Sequence, residues 1–331
     1  MSVFYLGQFP PPFGGVTVKN ALLFQALGKL VPLRKLEFRR MRTASIVRRV
    51  LFSKSEDIFL VGFGNRRTQR LFIKGLGFVR PSVLKRLIII VMGGEISGEI
   101  ANDRVYARLC GKARGVYFET KGMEVQARTA GLSNTRVFPN CRHRPSISRG
   151  PKPSDSQIKA VFFSLIDSSK GADLILEAAR QTPAIEYHFY GRVTKEFERQ
   201  FKSDLAELPN VTYHGVFDAV GGDVYAELRK YDIHLFPTRC LFEGVPGVLV
   251  ETKIASVPSV VSNVAFNTEI VEDGVSGIVL QDGTAEELAR VLRCIEQDHA
   301  MLDDLKRGSR ESAEQFFLDV YLEQILADIE G

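Results

Sequence analysis

Cysteine is scarce in this 331-residue chain, with four residues at Cys110, Cys141, Cys240 and Cys294 and no CxxC pair among them. The five histidines (His143, His188, His214, His234, His299) show no ligand spacing either. A disulfide scaffold is thereby excluded, and reduced thiols in a cytoplasmic setting without a structural metal are expected. No apolar run reaches the roughly 18 residues that a spanning helix needs. Met1 leads straight into the strand-like VFYLG without a basic region followed by an apolar one, so export is not expected. No low-complexity tract points to disorder. No RNP-like strand, helix-turn-helix or zinc pattern is present to read bases, and nucleic acid is not an expected partner.

Acidic residues are rare in one half only. Residues 1 to 150 hold 27 Lys+Arg against 8 Asp+Glu, whereas the remainder holds 17 against 31. Such a basic half implies a polyanionic neighbour, and an anionic membrane surface is the expected one. RRMRTASIVRRVLFSK (39 to 54) reads as a helix with Ile46, Val47, Val50 and Leu51 towards one side and Arg40, Arg48, Arg49 and Lys54 flanking it. That would suit an anionic leaflet. An ordinary solvated surface helix is the other reading.

Short aliphatic runs alternate with stretches of helical length. The first half gives SVFYLG, 17 to 31, VPLRKLEF, the basic segment, DIFLVGF, 66 to 76, RLIIIV, 100 to 112, GVYFE, 121 to 131 and TRVFP. After the proline- and serine-rich stretch 140 to 156 the alternation restarts: KAVFFSLI, 171 to 180, IEYHFYG, 194 to 207, VTYHGVF, 221 to 230, DIHLFPT, a helix near 247 to 255, PSVVS, GIVL and 284 to 297. This pattern predicts an α/β protein of two Rossmann-like, doubly wound domains. The expected division is 1 to 145 (basic, for the acceptor), a linker at 146 to 157, 158 to 310, and a helix at 311 to 331 returning to the first domain. Two such sheets facing one another across a cleft would place the site there.

FEGVPGVLVE (242 to 251) sets Glu243 at a Gly/Pro cluster and Glu251 eight positions on. In one helix the two would be about 12 Å apart along the axis. That exceeds the roughly 5 to 9.5 Å of paired glycosidase carboxylates. The spacing suits Glu243 on a loop and Glu251 about two turns into the following helix, each touching a different part of one long ligand. The amides of Gly244, Val245 and Gly247 could bind phosphate, whereas Pro246 has no N–H.

EGVPGVLVE resembles the E-x7-E signature of retaining GT-B glycosyltransferases of glycosyltransferase family 4. PSVVSNVAFNTEIVEDGVSGIVL (258 to 280) is similar to a further block of that family, with Glu269, Ile270, Asp273, Gly274 and Gly277 in register. SSKGADLILEA (168 to 178) resembles the segment whose lysine binds the donor diphosphate. PPPFGGVTVKNALLFQAL (10 to 27) resembles the amino-terminal glycine loop. The resemblance implies a GT-B fold and a UDP- or GDP-sugar donor as substrate, with no cofactor and no metal required. By it Glu243 contacts the transferred sugar, Glu251 the ribose and Lys170 the diphosphate. Gly14 and Gly15 bring backbone amides to an anionic group. The acceptor is expected on the basic first domain, whose charge suggests a glycan or lipid-linked glycan at the cytoplasmic, inner face of the membrane, with the enzyme peripheral there, as in surface polysaccharide assembly.

There are departures. Leu165 stands where family members commonly carry Arg; Arg192, after the strand IEYHFYG, either compensates or is a plain surface arginine. The family's histidine near the end of a central strand is not evident in RLIIIVMGGEI (86 to 96). Glu95 there could orient an acceptor hydroxyl or cap the next helix. His214 reads as structural, and Cys240 has no partner at identifiable spacing that would make it a nucleophile. A catalytically silent binding or scaffold protein is the alternative function, and a sugar-nucleotide epimerase a third.

Overall fold

The computed structural model describes residues 1–12, 14–38, 43–145, 150, 157–218 and 221–331. Most of the expected linker at 146 to 157, and Arg40 in the basic segment, therefore lie outside the described residues. The chain divides into two compact units. One comprises Met1–Arg144, Phe242–Pro246 and Phe316–Gly331, the other Pro145–Leu241 and Gly247–Gln315.

In the first unit β1 (Val3–Gly7), α1 (Gly15–Leu27), β2 (Leu33–Glu37), α2 (Thr43–Leu51), β3 (Ile58–Gly62), α3 (Arg66–Val79), β4 (Leu87–Ile90), α4 (Glu95–Asn102), α5 (Arg104–Cys110), β5 (Gly115–Phe118), α6 (Lys121–Thr129) and β6 (Thr135–Val137) follow one another. The strands form one parallel sheet in the order β2-β1-β3-β4-β5-β6. The apolar runs VFYLG, IFLVG and LIII are buried along their whole length, as strands covered on both faces must be.

The second unit continues with β7 (Lys159–Phe163), α7 (Ala172–Gln181), β8 (Glu186–Tyr190), α8 (Glu198–Glu207), β9 (Val211–Tyr213), α9 (Val224–Leu228), β10 (Ile233–Phe236), α10 (Gly247–Ile254), β11 (Ser259–Ser262), α11 (Asn267–Ile270), β12 (Gly277–Leu280), α12 (Ala285–Gln297) and α13 (His299–Glu311). Its parallel sheet runs β12-β11-β10-β7-β8-β9. Read from the other edge, this is the 3-2-1-4-5-6 order of the Rossmann fold, with the winding reversing between β7 and β10. Phe162, Phe189, Leu235, Leu288 and Leu292 are among its buried core.

The last helix, α14 (Asp319–Glu330), packs in the core of the first unit, where Leu318, Ile325 and Ile329 lie among Val3, Tyr5, Ile88 and Tyr117. Burying three such side chains contributes about 5 to 9 kcal/mol before entropy. The Tyr117 hydroxyl donates to Asp328 Oδ2 at 2.7 Å and fixes the register. No described helix is long and apolar enough to cross a membrane.

Several expected elements differ in extent. The helix expected at 100 to 112 is two helices, because the Asp103 side chain accepts from the Tyr106 N–H at 3.0 Å and caps a new start. The helix expected from 194 begins at Glu198, after Phe197 is buried at its entry, and the one at 221 to 230 is only α9. In the basic segment, α2 turns Ile46 (3% exposed) and Val50 (0%) into the protein. Val47 and Leu51 of the same side are half-buried.

Candidate active site

In an open α/β sheet, ligands bind beyond the carboxyl ends of the strands where the winding reverses. In the second unit that point is the end of β7 and β10, and the sequence-predicted residues of this unit collect around it. Lys170 closes a 3-10 turn, Ser168–Lys170, directly after β7; Asp167 caps this turn, its side chain accepting from the Lys170 N–H at 3.0 Å. The turn is fastened to the segment after β10. The Arg239 N–H donates to Ser169 O at 2.9 Å, and the Arg239 guanidinium reaches Ser168 O at 2.8 Å and both Asp173 oxygens at 2.9 Å. Lys170 Nζ lies 5.9 Å from the centroid of the Phe236 ring on β10. Gly171 must be glycine: its φ is +78° and a Cβ would sit 2.1 Å from Pro237 O. Nothing local in the sequence marks Arg239, whose partners lie some seventy positions away.

The pairing of β7 with β8 continues past both strands. The Ser164 N–H donates to Tyr190 O at 3.1 Å and the Ile166 N–H to Arg192 O at 2.9 Å. With Phe163 opposite Tyr190 and Ile166 opposite Val193, this register sets Arg192 opposite Leu165. Arg192 is exposed. Farther along the same edge the His214 ring stacks on Tyr190 with centroids 4.5 Å apart, and the Gly191 N–H donates to Gly215 O at 2.8 Å. Burial lowers the His214 pKa, leaving a neutral ring at neutral pH.

Gly247 begins α10, and Glu251, half-buried, stands one turn into it instead of the expected two. Its neighbour Thr252 is fully buried and braces the helix on the sheet. Thr252 Oγ1 is 3.2 Å from Ser259 Oγ, which is 3.1 Å from His234 Nδ1. Burial pushes His234 down to about 3, so this brace is a neutral network.

In the first unit the segment Phe242–Pro246 lies over the ends of β4 and β5, and the residue that holds it is Glu119. One Glu119 oxygen accepts from Lys19 Nζ at 2.7 Å. The other accepts from the Val245 N–H at 3.0 Å and the Gly93 N–H at 3.3 Å. Asn140 Nδ2 donates to Val245 O at 3.0 Å, and the Gly94 N–H to Phe242 O at 3.2 Å. Glu119 and Lys19 are only 5% and 2% exposed. A Cβ on Gly244 would come within 1.9 Å of Glu119 Oε2, so close approach requires glycine there. Glu243, half-buried, rides on this clamped loop. The Val245 amide, expected to meet phosphate, is instead committed to Glu119. Gly14 caps α1, its N–H donating to Thr17 Oγ1 at 3.0 Å, and Gly15 is the helix's first residue. The Gly14 amide, like that of Val245, is engaged within the chain.

Glu95 opens α4, where its charge suits the helix N-terminus. It also lines a cavity of about 470 Å³ with Arg66, Arg70, Glu99, Asp103 and Phe242. The charged groups around it alternate in sign: Arg66 Nε is 3.4 Å from Glu95, Arg70 is 2.7 Å from Glu99 and Lys74 is 2.5 Å from Asp103. Among the described residues no group of three or more His, Cys, Asp or Glu side chains is placed to hold a metal.

Two parallel six-stranded units with these features define the GT-B class. The family of glycosyl transferases group 1 matches residues 144–312, and the chain belongs to that family. Over its full length the chain is similar to Anabaena HepE in a crystal structure with UDP-glucose, with a TM-score of 0.73, 17% identity, and 100% of this chain and 99% of that one covered. It is 27% identical over 139 residues to a 41.2 kDa protein in the cps region of Klebsiella pneumoniae, covering 41% of this chain and 36% of that protein. It is 27% identical over 184 residues to the amylovoran biosynthesis glycosyltransferase AmsK of Erwinia amylovora, covering 52% and 44% respectively. The chain thus spans less than half the length of these two curated relatives.

Proposed function

We propose that this protein is a retaining glycosyltransferase that moves a sugar from a UDP- or GDP-sugar to a hydroxyl of a glycan or lipid-linked glycan. The setting proposed is surface polysaccharide assembly at the cytoplasmic face of the membrane. The observation that carries the proposal is the coincidence of motif and topology. Lys170 and the start of α10, named by their motifs, flank the point where the second sheet reverses its winding. The name of the Erwinia relative supports the polysaccharide setting, and the UDP-glucose complex of HepE supports a uridine donor.

In this reading Lys170, Arg192 and the Gly247 amide take up the charge that develops on the departing diphosphate. Glu251 holds the ribose and Glu243 the hydroxyls of the transferred sugar. Gly14 and Gly15, at the start of α1, are further donor-binding residues in this reading. A leaving phosphate oxygen accepts the acceptor's proton on the same face of the sugar, which retains the anomeric configuration. The protein's part is then positioning and charge stabilisation, and no metal is called for. The acceptor binds in the cavity at Glu95, whose alternating carboxylates and guanidinium groups suit a hydroxyl-rich ring and whose exposed Phe242 offers it an apolar face.

A thermal-shift screen against nucleotide sugars tests this. A donor at a hundred times its Kd stabilises by about 2.7 kcal/mol, which in a domain of this size is a rise of roughly 5 to 10 °C. One UDP- or GDP-sugar should give that rise, and Glu251→Ala should lose most of it. No rise with any donor would count against the proposal and favour a scaffold.

A further inference from the structure

Helix α3 carries apolar side chains where a solvated helix would carry charge. Arg67, Leu71, Gly75 and Phe78 follow at i, i+4, i+8 and i+11, one stripe of a helix, and all four are exposed. Leu71 is 68% exposed, Phe78 91% and the adjoining Val79 62%. The core-facing side of this helix is a different one, with Gln69, Ile73 and Leu76. Phe52, 81% exposed, lies by the end of the same helix. Arg80, following α3, donates to Leu51 O and, at 3.1 Å, to Ser53 O, the two carbonyls that flank Phe52. Arg86 adds bonds to Asp57 O at 3.2 Å and Ser53 Oγ at 3.1 Å. The apolar group is therefore mounted on a tied framework.

Its rim is cationic. Arg48, Arg49, Lys54, Arg67 and Lys85, on these same segments of the chain, are exposed, and residues 43 to 86 hold ten Lys+Arg against two Asp+Glu. Exposed aromatics within a basic field fit the headgroup layer of an anionic leaflet. A two-fold contact with a second copy would set this basic surface against itself, which like charge opposes.

We infer that this face of the first unit docks on an anionic lipid bilayer, with Phe52, Phe78 and Val79 entering the interfacial layer and the surrounding Arg and Lys meeting lipid phosphates. It rests on the proposed function only in supplying the place where a lipid-linked acceptor is met. The seat differs from that expected of the sequence, since Ile46 and Val50 of α2 point inward.

Vesicle flotation of the full chain, without donor, tests the inference. The protein should float with phosphatidylcholine vesicles containing phosphatidylglycerol, not with phosphatidylcholine alone, and high salt should release it. Phe52→Ser with Phe78→Ser, and separately Lys54→Glu with Lys85→Glu, should each lower partitioning roughly tenfold at unchanged melting temperature. Failure to float with anionic vesicles would overturn the inference, as would undiminished binding in both double variants. So would self-association abolished by the phenylalanine variant in a protein that binds no vesicle. The donor-induced thermal shift separates the two readings. Its survival alongside failed flotation removes only the docking surface, whereas normal flotation without any donor shift removes only the transferase.

Discussion

Glu119→Gln should be far more damaging than a one-atom change suggests. One Glu119 oxygen meets Lys19 at 2.7 Å and the other meets the amides of Val245 and Gly93 at 3.0 and 3.3 Å, all but out of solvent. Glutamine has a single acceptor oxygen, so its NH2 must confront either an ammonium or two N–H groups. Breaking a buried pair costs about 3 to 5 kcal/mol, and an unsatisfied buried amide about 1 to 3. Glutamine keeps part of the bonding, so about 3 kcal/mol is expected, a fall of roughly 6 to 12 °C in the melting of the first unit. Lys19→Met with Glu119→Leu should not recover that stability, since leucine removes the buried charge but leaves the Val245 and Gly93 amides without their acceptor. Turnover should stay low as well, because only the Asn140 and Gly94 bonds then hold the loop that carries Glu243. Calorimetric melting with a donor-turnover assay reads both effects. An unchanged melting temperature in Glu119→Gln, or full activity in the apolar double variant, would refute the clamp.

Gly171→Ala, with its Cβ facing Pro237 O at positive φ, should cost about 2 to 4 kcal/mol in urea unfolding; a neutral result would mean that the Lys170 turn is not fixed by β10. Arg192→Gln should weaken donor binding about tenfold at unchanged stability, read by titration calorimetry. Lys253 is buried beside Ser276 and Ser312 Oγ at 3.1 and 2.6 Å, and burial lowers its pKa to about 8. Between about pH 8 and 10.5 the unfolded chain holds this proton and the folded one does not, so folding stability from this group rises with pH across that window. Any stability advantage of Lys253→Met at neutral pH should shrink by about 3 kcal/mol by pH 10.5; a pH-independent difference between the two proteins would contradict this.

Strand runs such as RLIIIV and KAVFFSLI were legible because a strand buried on both faces must be apolar throughout, and the sheets follow from that alternation. The loop-to-helix character of 243 to 251 was legible from Pro246, which suits a helix start and not its interior. Helix limits were less so: the break at Asp103 depends on one side chain turning back to cap α5, and the inward face of α2 on what lies beneath it. The clamp at Glu119 was invisible, since GVYFET gives no sign that its glutamate meets Lys19 100 positions before it and Val245 126 positions after it. Local pattern carries strand and helix, whereas a buried charge has meaning only through distant partners.

Retention and the role of Glu243 are read together from the anomeric configuration of the product by NMR, with the donor found by thermal shift and a glycan acceptor, for the wild type and Glu243→Gln. A retaining transferase forms a new glycosidic bond of the donor's own configuration, and Glu243→Gln should form it about a hundredfold more slowly. An inverted product, or a rate indifferent to Glu243, would contradict the proposed function.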